Sequence, residues 1–248
     1  MIRLLDEEKP PLNAPDQLIL KIGNFFLGTP YAAGTLETKT AEHLIINLRE
    51  YDCVTFVENV IALLRLIRSR HKSFKTFQKL LREIRYRHGR PRGYSSRLHY
   101  FSDWIHDNQK KGILKDVTAE IGGRPFRKHL TIMTTRPDLY PRLRDPANFR
   151  NVKSLERAIS KRSLSFIPKK AVRRLEDQLH DGDLIAIMTS RPDLDVQHVG
   201  FAKRVKNRIH LLHASSTGGK VLLSEYTLYR YLMRGKTRSG IMVARVLS

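Results

Sequence analysis

Tyr51-Asp52-Cys53-Val54-Thr55-Phe56-Val57-Glu58 carries the only cysteine of the 248-residue chain and turns a polar stretch into an apolar helix. Asp52 is a good N-cap, with a carboxylate able to accept from the N–H of Val54 or Thr55 and so set where the helix begins. From Cys53 to Ile67 the apolar residues Phe56, Val57, Val60, Ile61, Leu63, Leu64 and Ile67 cover more than one face, the pattern of a buried central helix. A thiol at a helix N-terminus meets free N–H groups and the positive end of the dipole, which favour the thiolate. A lone cysteine beside Val and Phe is also ordinary core filling, so the rest of the chain has to decide between a nucleophile and a packing residue.

Working outward, Asp16 to Phe26 reads as a helix ended by the turn Gly28-Thr29-Pro30, and Ala41 to Arg49 as a short strand or helix delivering the chain to Asp52. Further helices are expected over Phe74 to Arg85 and from about Ser96 to Lys110. Beyond Asp181-Gly182-Asp183 the texture changes. Leu184 to Met188, His198 to Val205, Arg208 to Ala214, Val221 to Ser224 and Ile241 to Leu247 are short, strand-like and separated by turn residues. A helix-rich first half followed by successive strands predicts one α+β domain over 1–248, with helices packed on one side of a curled antiparallel sheet and a helical, basic insertion at about 70–150.

A cysteine nucleophile needs an imidazole to take its proton and a third polar group to orient that imidazole. Of the ten histidines, His71, His88, His106 and His180 lie among charged residues and read as solvated. His198 opens the strand His198-Val199-Gly200-Phe201-Ala202 after a polar turn, and Gly200, facing the same way, would leave room beside it for a thiol or substrate. His210 and His213 on the following strand are an odd number apart and point to opposite faces, so one of them can reach His198. His213, followed by Ala214-Ser215-Ser216, suits a cleft wall and is assigned as the orienting group, the alternative being a satisfied structural histidine. Spacings that announce a zinc site are absent, as are a G-x-S-x-G elbow, a P-loop and a dinucleotide fingerprint, so no metal or cofactor is expected.

The net charge of +22 is concentrated between Arg65 and Arg92, where eleven Lys or Arg face one acid, Glu83. Such a surface attracts polyanions, and a non-catalytic polyanion-binding protein is a competing reading. Nucleic acid is not expected as the partner, since the stretch has no helix-turn-helix glycine turn, zinc-ligand spacing or RNP-like strand. One cysteine permits no intrachain disulfide. Met1 to Glu8 lacks a secretory signal and no run reaches membrane-span length, so the chain as given would stay in the cytoplasm, or in the cell envelope had a leader preceded it. Oligomeric state is not legible. Ile132-Met133-Thr134-Thr135-Arg136-Pro137-Asp138-Leu139 recurs as Ile187-Met188-Thr189-Ser190-Arg191-Pro192-Asp193-Leu194. Each copy reads as a strand running into an Arg-Pro-Asp turn, which two similar strand exits explain, the sharper alternative being that Arg136 and Arg191 flank one cleft and hold a substrate carboxylate.

The order of a Cys at a helix start, His-Val-Gly-Phe opening a strand and a His on the next strand resembles the NlpC-type branch of the papain-like cysteine peptidases, which act on bacterial peptidoglycan. Phe25-Phe26-Leu27-Gly28-Thr29-Pro30-Tyr31, the run from Asp52 to Glu58, Arg97-Leu98-His99-Tyr100-Phe101-Ser102-Asp103-Trp104-Ile105 and Asp181-Gly182-Asp183-Leu184-Ile185-Ala186 narrow the resemblance to its N-acetylmuramoyl-L-alanine amidase-like family. The resemblance implies a papain-like α+β fold, Cys53 as nucleophile, His198 as base, His213 as third member and Tyr31 near the nucleophile. Val54-Thr55 stands where the wider superfamily commonly has Ser-Gly, a variant the amidase-like family carries. It implies cleavage between N-acetylmuramic acid and L-alanine in peptidoglycan or muropeptide fragments, the alternative bond being γ-D-glutamyl-diaminopimelate. Tyr100 and Trp104 then become candidates for stacking on sugar rings, and Arg97 for pairing with a carboxylate.

Overall fold

The computed structural model describes residues 15–38 and 41–247; the N-terminal stretch read for a leader lies outside them. The helices are α1 (Pro15–Phe25), α2 (Cys53–Arg68), α3 (Phe74–Arg85), α4 (Phe101–Lys110), α5 (Ile132–Thr135), α6 (Pro146–Ser160), α7 (Val172–Leu175) and α8 (Leu228–Arg234). The strands are β1 (Leu114–Asp116), β2 (Arg124–Phe126), β3 (Leu164–Pro168), β4 (Leu184–Thr189), β5 (Val196–Val205), β6 (Arg208–Ser215), β7 (Lys220–Thr227) and β8 (Arg238–Val246). They form one antiparallel sheet in the order β2-β3-β8-β4-β5-β6-β7, with β1 also paired to β8.

The period of two sorts the strand residues between two cores. Leu184, Ala186 and Met188 of β4, with Phe201 and Leu212, pack against α1 to α4. Ile185 and Ile187, with Ala202 and Leu211, pack beneath α7 and α8. Helices therefore cover both faces where one was expected, which is why β4 is an unbroken apolar run rather than an alternating one.

The entry to α2 is fixed by a capping box. Asp52 Oδ1 accepts from Thr55 N–H at 2.7 Å while Thr55 Oγ1 accepts from Asp52 N–H at 2.9 Å, so two orphan amide donors at the helix entry are satisfied reciprocally. Deep in the same helix Glu58 accepts from Arg85 Nε at 2.7 Å and from Trp104 Nε1 at 3.1 Å, tying α2 to α3 and α4 through one buried carboxylate. Asp195 ties α4 to the start of β5: its Oδ2 accepts from Ser102 N–H at 2.8 Å at the N-terminus of α4.

Several boundaries differ from the sequence reading. Residues 41–50 form neither strand nor helix, the expected helix from Ser96 begins at Phe101 after a one-turn 3-10 segment at Tyr94–Ser96, and β5 starts two residues before His198. The stretch 70–150 is mostly helical but not set apart, since β1 and β2 add to the sheet and Trp104 belongs to the main core. The first copy of the repeated octapeptide is a helical turn, not a strand, while the second leaves β4 into a loop. The two copies meet where the Asp193 carbonyl accepts from the N–H groups of Thr131 and Ile132, each at 3.1 Å. No described helix is long and apolar enough to cross a membrane.

Candidate active site

The first helical residue of α2, Cys53, is half-buried, and the backbone amides of Val199, Cys53 and Val54 favour its sulfur anion. Val199, the residue after His198 on β5, is among them. Burial pushes the thiol up to about 12 and the Asp52 carboxylate adds to this, outweighing the three amide donors. The helix start therefore does not deliver a resting thiolate, contrary to the sequence expectation: the anion that caps the helix stands next to the sulfur, and burial desolvates the thiol.

His198, Gly200 and His213 share the sheet face that carries α8, as strand alternation requires. His198 Nε2 lies 2.6 Å from His213 Nδ1, with the rings nearly perpendicular at 85°. Gly200 makes this possible in a way the sequence reading placed differently. A Cβ there would stand 2.8 Å from both His213 Cβ and Leu212 O, so the missing side chain makes room for His213 rather than for a thiol or substrate. His210 turns the other way, its Nδ1 on the Ser224 carbonyl at 2.9 Å. Burial pushes His198 down to about 3, helped by His213 and Arg238, and pushes His213 down to about 4, helped by Arg238. Both imidazoles are thereby held in the neutral form, and one ring N–H donates to the other ring nitrogen across the 2.6 Å contact.

Tyr31 reaches the site from the loop after α1, held by its N–H on Gly219 O at 2.9 Å. Burial, then Cys53 and Asp52, raise its phenol, which places it by the thiol. A second phenol, Tyr231 of α8, was not anticipated. Its ring centroid lies 5.6 Å from that of His213 and 6.4 Å from that of His198, and it too is raised by Cys53. Arg238 covers this ring, its guanidinium carbon 3.7 Å from the centroid. Neither residue has a motif around it; only the fold of α8 back over β5 and β6 brings them in.

Three sequence candidates are withdrawn from the substrate surface. Trp104 is 0% exposed, stacked on Phe101 with its indole N–H spent on Glu58, and Tyr100 is 1% exposed with its hydroxyl donating to Glu156 at 2.7 Å. Aromatic residues at helical spacing here build the core, and no sugar face can reach them. Arg97 is 5% exposed and forms ion pairs with Glu37 and Glu42, so its charge is already matched. Arg136 and Arg191 are exposed, and each forks onto the aspartate two residues on, Asp138 and Asp193 respectively, at 2.8 to 3.1 Å. They act as turn locks. Among the described residues no three His, Cys, Asp or Glu side chains converge as a metal site would need.

The site lies within a chain whose relatives are recognisable. Its overall structure matches an N-acetylmuramoyl-L-alanine amidase from Bacteroides uniformis with a TM-score of 0.89 and 37% identity, over 94% of this chain and 99% of the other. A Bacteroides fragilis protein provisionally named as a xylanase matches with a TM-score of 0.86 and 40% identity, over 91% and 100%. A Legionella pneumophila protein matches with a TM-score of 0.72 and 25% identity, over 94% and 89%. No curated protein matches the sequence significantly. The family model for N-acetylmuramoyl-L-alanine amidase-like proteins matches residues 21–241, a span that runs from α1 through Cys53 and both histidines into β8, and the chain belongs to that family.

Proposed function

We propose that this protein hydrolyses the amide between N-acetylmuramic acid and L-alanine of peptidoglycan or its muropeptide fragments, with Cys53 as nucleophile. The observation that carries the reading is the hydrogen-bonded His198–His213 pair against the ring of Tyr231, a phenol whose ionisation Cys53 at the start of α2 also opposes. Family membership and the amidase neighbour supply the bond.

Because thiol and imidazole both rest neutral, the proton moves during attack rather than before it. His198 takes the proton through Nδ1 as sulfur bonds to the lactyl carbonyl carbon. Its Nε2–H then remains donated to His213 Nδ1, which fixes the tautomer as the third member of a triad does. The tetrahedral oxyanion is held by amide N–H groups at the start of α2, and the Tyr31 hydroxyl is a further donor. As the C–N bond breaks, the imidazolium returns its proton to the amine of L-alanine. Water, deprotonated by His198, then attacks the thioester and releases the muramoyl carboxylate and the free thiol.

The name carried by the B. fragilis neighbour would call for two carboxyl groups about 5–9.5 Å apart across a sugar. Among the described residues, the carboxylate acting on Cys53 and Tyr31 is Asp52, engaged with Thr55 at the helix cap.

Mass spectrometry of a defined disaccharide-tetrapeptide muropeptide tests the proposal. Wild-type protein should release intact tetrapeptide and free disaccharide, and Cys53→Ala neither. Cleavage inside the peptide would move the bond to the endopeptidase alternative, and cleavage by Cys53→Ala at the wild-type rate would remove the cysteine from the mechanism.

A further inference from the structure

Between the chain that leaves α3 and the exposed side of α6 lies a cleft of about 520 Å³ that shares no residue with the candidate active site. Arg87, His88, Arg90 and Arg92 line one side of it, and Asn151, Ser154 and Ala158 of α6 line the other. Among the described residues no carboxylate and no aromatic ring lines it. The cleft takes up the end of the basic stretch that the proposed reaction leaves unused. Acids stand close to several arginines of this region: Arg65 pairs with Glu83, Arg85 with Glu58, Arg87 with Asp103 and Arg97 with Glu37. Arg90 and Arg92 are exposed, and neither side chain makes an ion pair or hydrogen bond with a described residue.

The loop that presents them is fixed by its own backbone. His88, Gly89 and Gly93 hold positive φ of 52°, 69° and 79°. Arg92 N–H donates to Ser96 Oγ at 2.8 Å, and that hydroxyl donates to Gly93 O at 2.6 Å. Leu98 N–H donates to Arg85 O at 3.0 Å and draws the two ends of the loop together. A chain held in this way loses little freedom when an anion arrives. Across the cleft, Glu156 is the single acid of α6, and it turns inward to accept from Tyr100 and Thr134. Arg150, Lys153 and Arg157 of the same helix are exposed and recur at about 4.5–6 Å along its axis, so cations continue alongside the Asn151–Ser154–Ala158 wall.

We propose that this cleft is a second, non-catalytic site that binds a chain of phosphate groups bearing no bases, with Arg90 and Arg92 as its anchors. The inference is independent of the reaction at Cys53. Planar guanidinium forks match the oxygens of phosphate, and Asn151 and Ser154 add neutral donors from the facing wall. A repeating anion suits cations that recur along α6, whereas a single small anion would meet only the cleft. Single-stranded nucleic acid is held by stacking its bases on aromatic side chains, and among the described residues this cleft has none. A membrane surface is held by inserted apolar side chains, yet none of the exposed large apolar residues lines the cleft.

The test uses the full chain and long-chain inorganic polyphosphate as the probe, titrated by calorimetry at low and at moderate salt. Arg90→Gln combined with Arg92→Gln should weaken binding by about 10-fold or more and flatten the slope of log K against log salt by about 1–2. Arg90→Lys combined with Arg92→Lys keeps the charge without the fork and should recover only part of the loss. Arg173→Gln combined with Arg174→Gln removes the same charge from exposed positions on α7 and should change binding by less than about 2-fold. All three double variants should melt with wild type, since the side chains changed are exposed. No binding by wild type would overturn the proposal, as would equal weakening by the α7 pair, because net charge alone would then account for it. A single-stranded oligothymidylate or phosphatidylglycerol vesicles bound more tightly than polyphosphate, and released by the same Arg90 and Arg92 changes, would overturn the choice of a base-free phosphate chain.

Discussion

His213 Nδ1 stands 2.6 Å from His198 Nε2, across a gap between β5 and β6 that exists because Gly200 has no side chain. The contact makes His213 an acceptor whenever His198 is the neutral form able to take a thiol proton at Nδ1. His213→Ala should lower kcat/KM by about 100-fold or more, in the range lost when a general acid–base group is misplaced, with little change in thermal stability. His213→Asn, which can still accept through its amide oxygen, should recover part of the loss. Steady-state kinetics on muropeptide check this; full activity of His213→Ala would exclude the residue from the mechanism.

Asp52 both starts α2 and opposes the thiolate. Asn caps a helix about as well as Asp, so Asp52→Asn should leave the melting temperature nearly unchanged while removing the anion beside Cys53. The thiol then ionises more readily, and iodoacetamide alkylation of Cys53 near neutral pH should speed up by about 3–10-fold. An unchanged alkylation rate would show that the Asp52 charge is not felt at the sulfur.

The Glu58–Arg85 pair is enclosed, each partner 2% exposed, and Glu58 also holds the Trp104 indole. Arg85→Met strands a buried carboxylate and should cost about 3–5 kcal/mol in urea unfolding, whereas Glu58→Gln together with Arg85→Met should cost less than Arg85→Met alone. A double variant as unstable as the sum of the two single variants would mean that the charges do not interact.

Burial holds His99, His198 and His213 well below the ordinary 6.5, at about 3, 3 and 4. The unfolded chain takes up these protons first, so the stability the neutral rings contribute is complete above about pH 6.5 and is lost as pH falls toward 4. Unfolding free energy should decline through that window, and His99→Gln, far from the proposed chemistry, should flatten the decline by on the order of 1–2 kcal/mol. Chemical denaturation at pH 7 and pH 4.5 measures it, and parallel pH curves for the two proteins would exclude His99 as a contributor.

Local sequence determined the frame of this protein. The cap at Asp52, the apolar run from Cys53, the basic amphipathic helix at Phe74–Arg85 and the short strands after Asp183 are set by near neighbours in the chain, and near neighbours are what periodicity and capping rules read. Strand alternation also separates His213 from His210, since it depends only on whether two positions are an odd number apart.

What only the tertiary structure decided depends on distant residues meeting. Trp104, Tyr100 and Arg97 have the chemistry of a sugar and carboxylate subsite, but Glu58, Glu156 and Glu37, 46, 56 and 60 positions away, draw them into the interior. Tyr231 and Arg238 carry no local signal and enter the site because α8 folds over β5 and β6 and Gly235 lets the arginine turn back. The charge state of Cys53 follows the same division. The helix start that favours a thiolate is local and readable, while the burial that overrules it is the work of the whole fold.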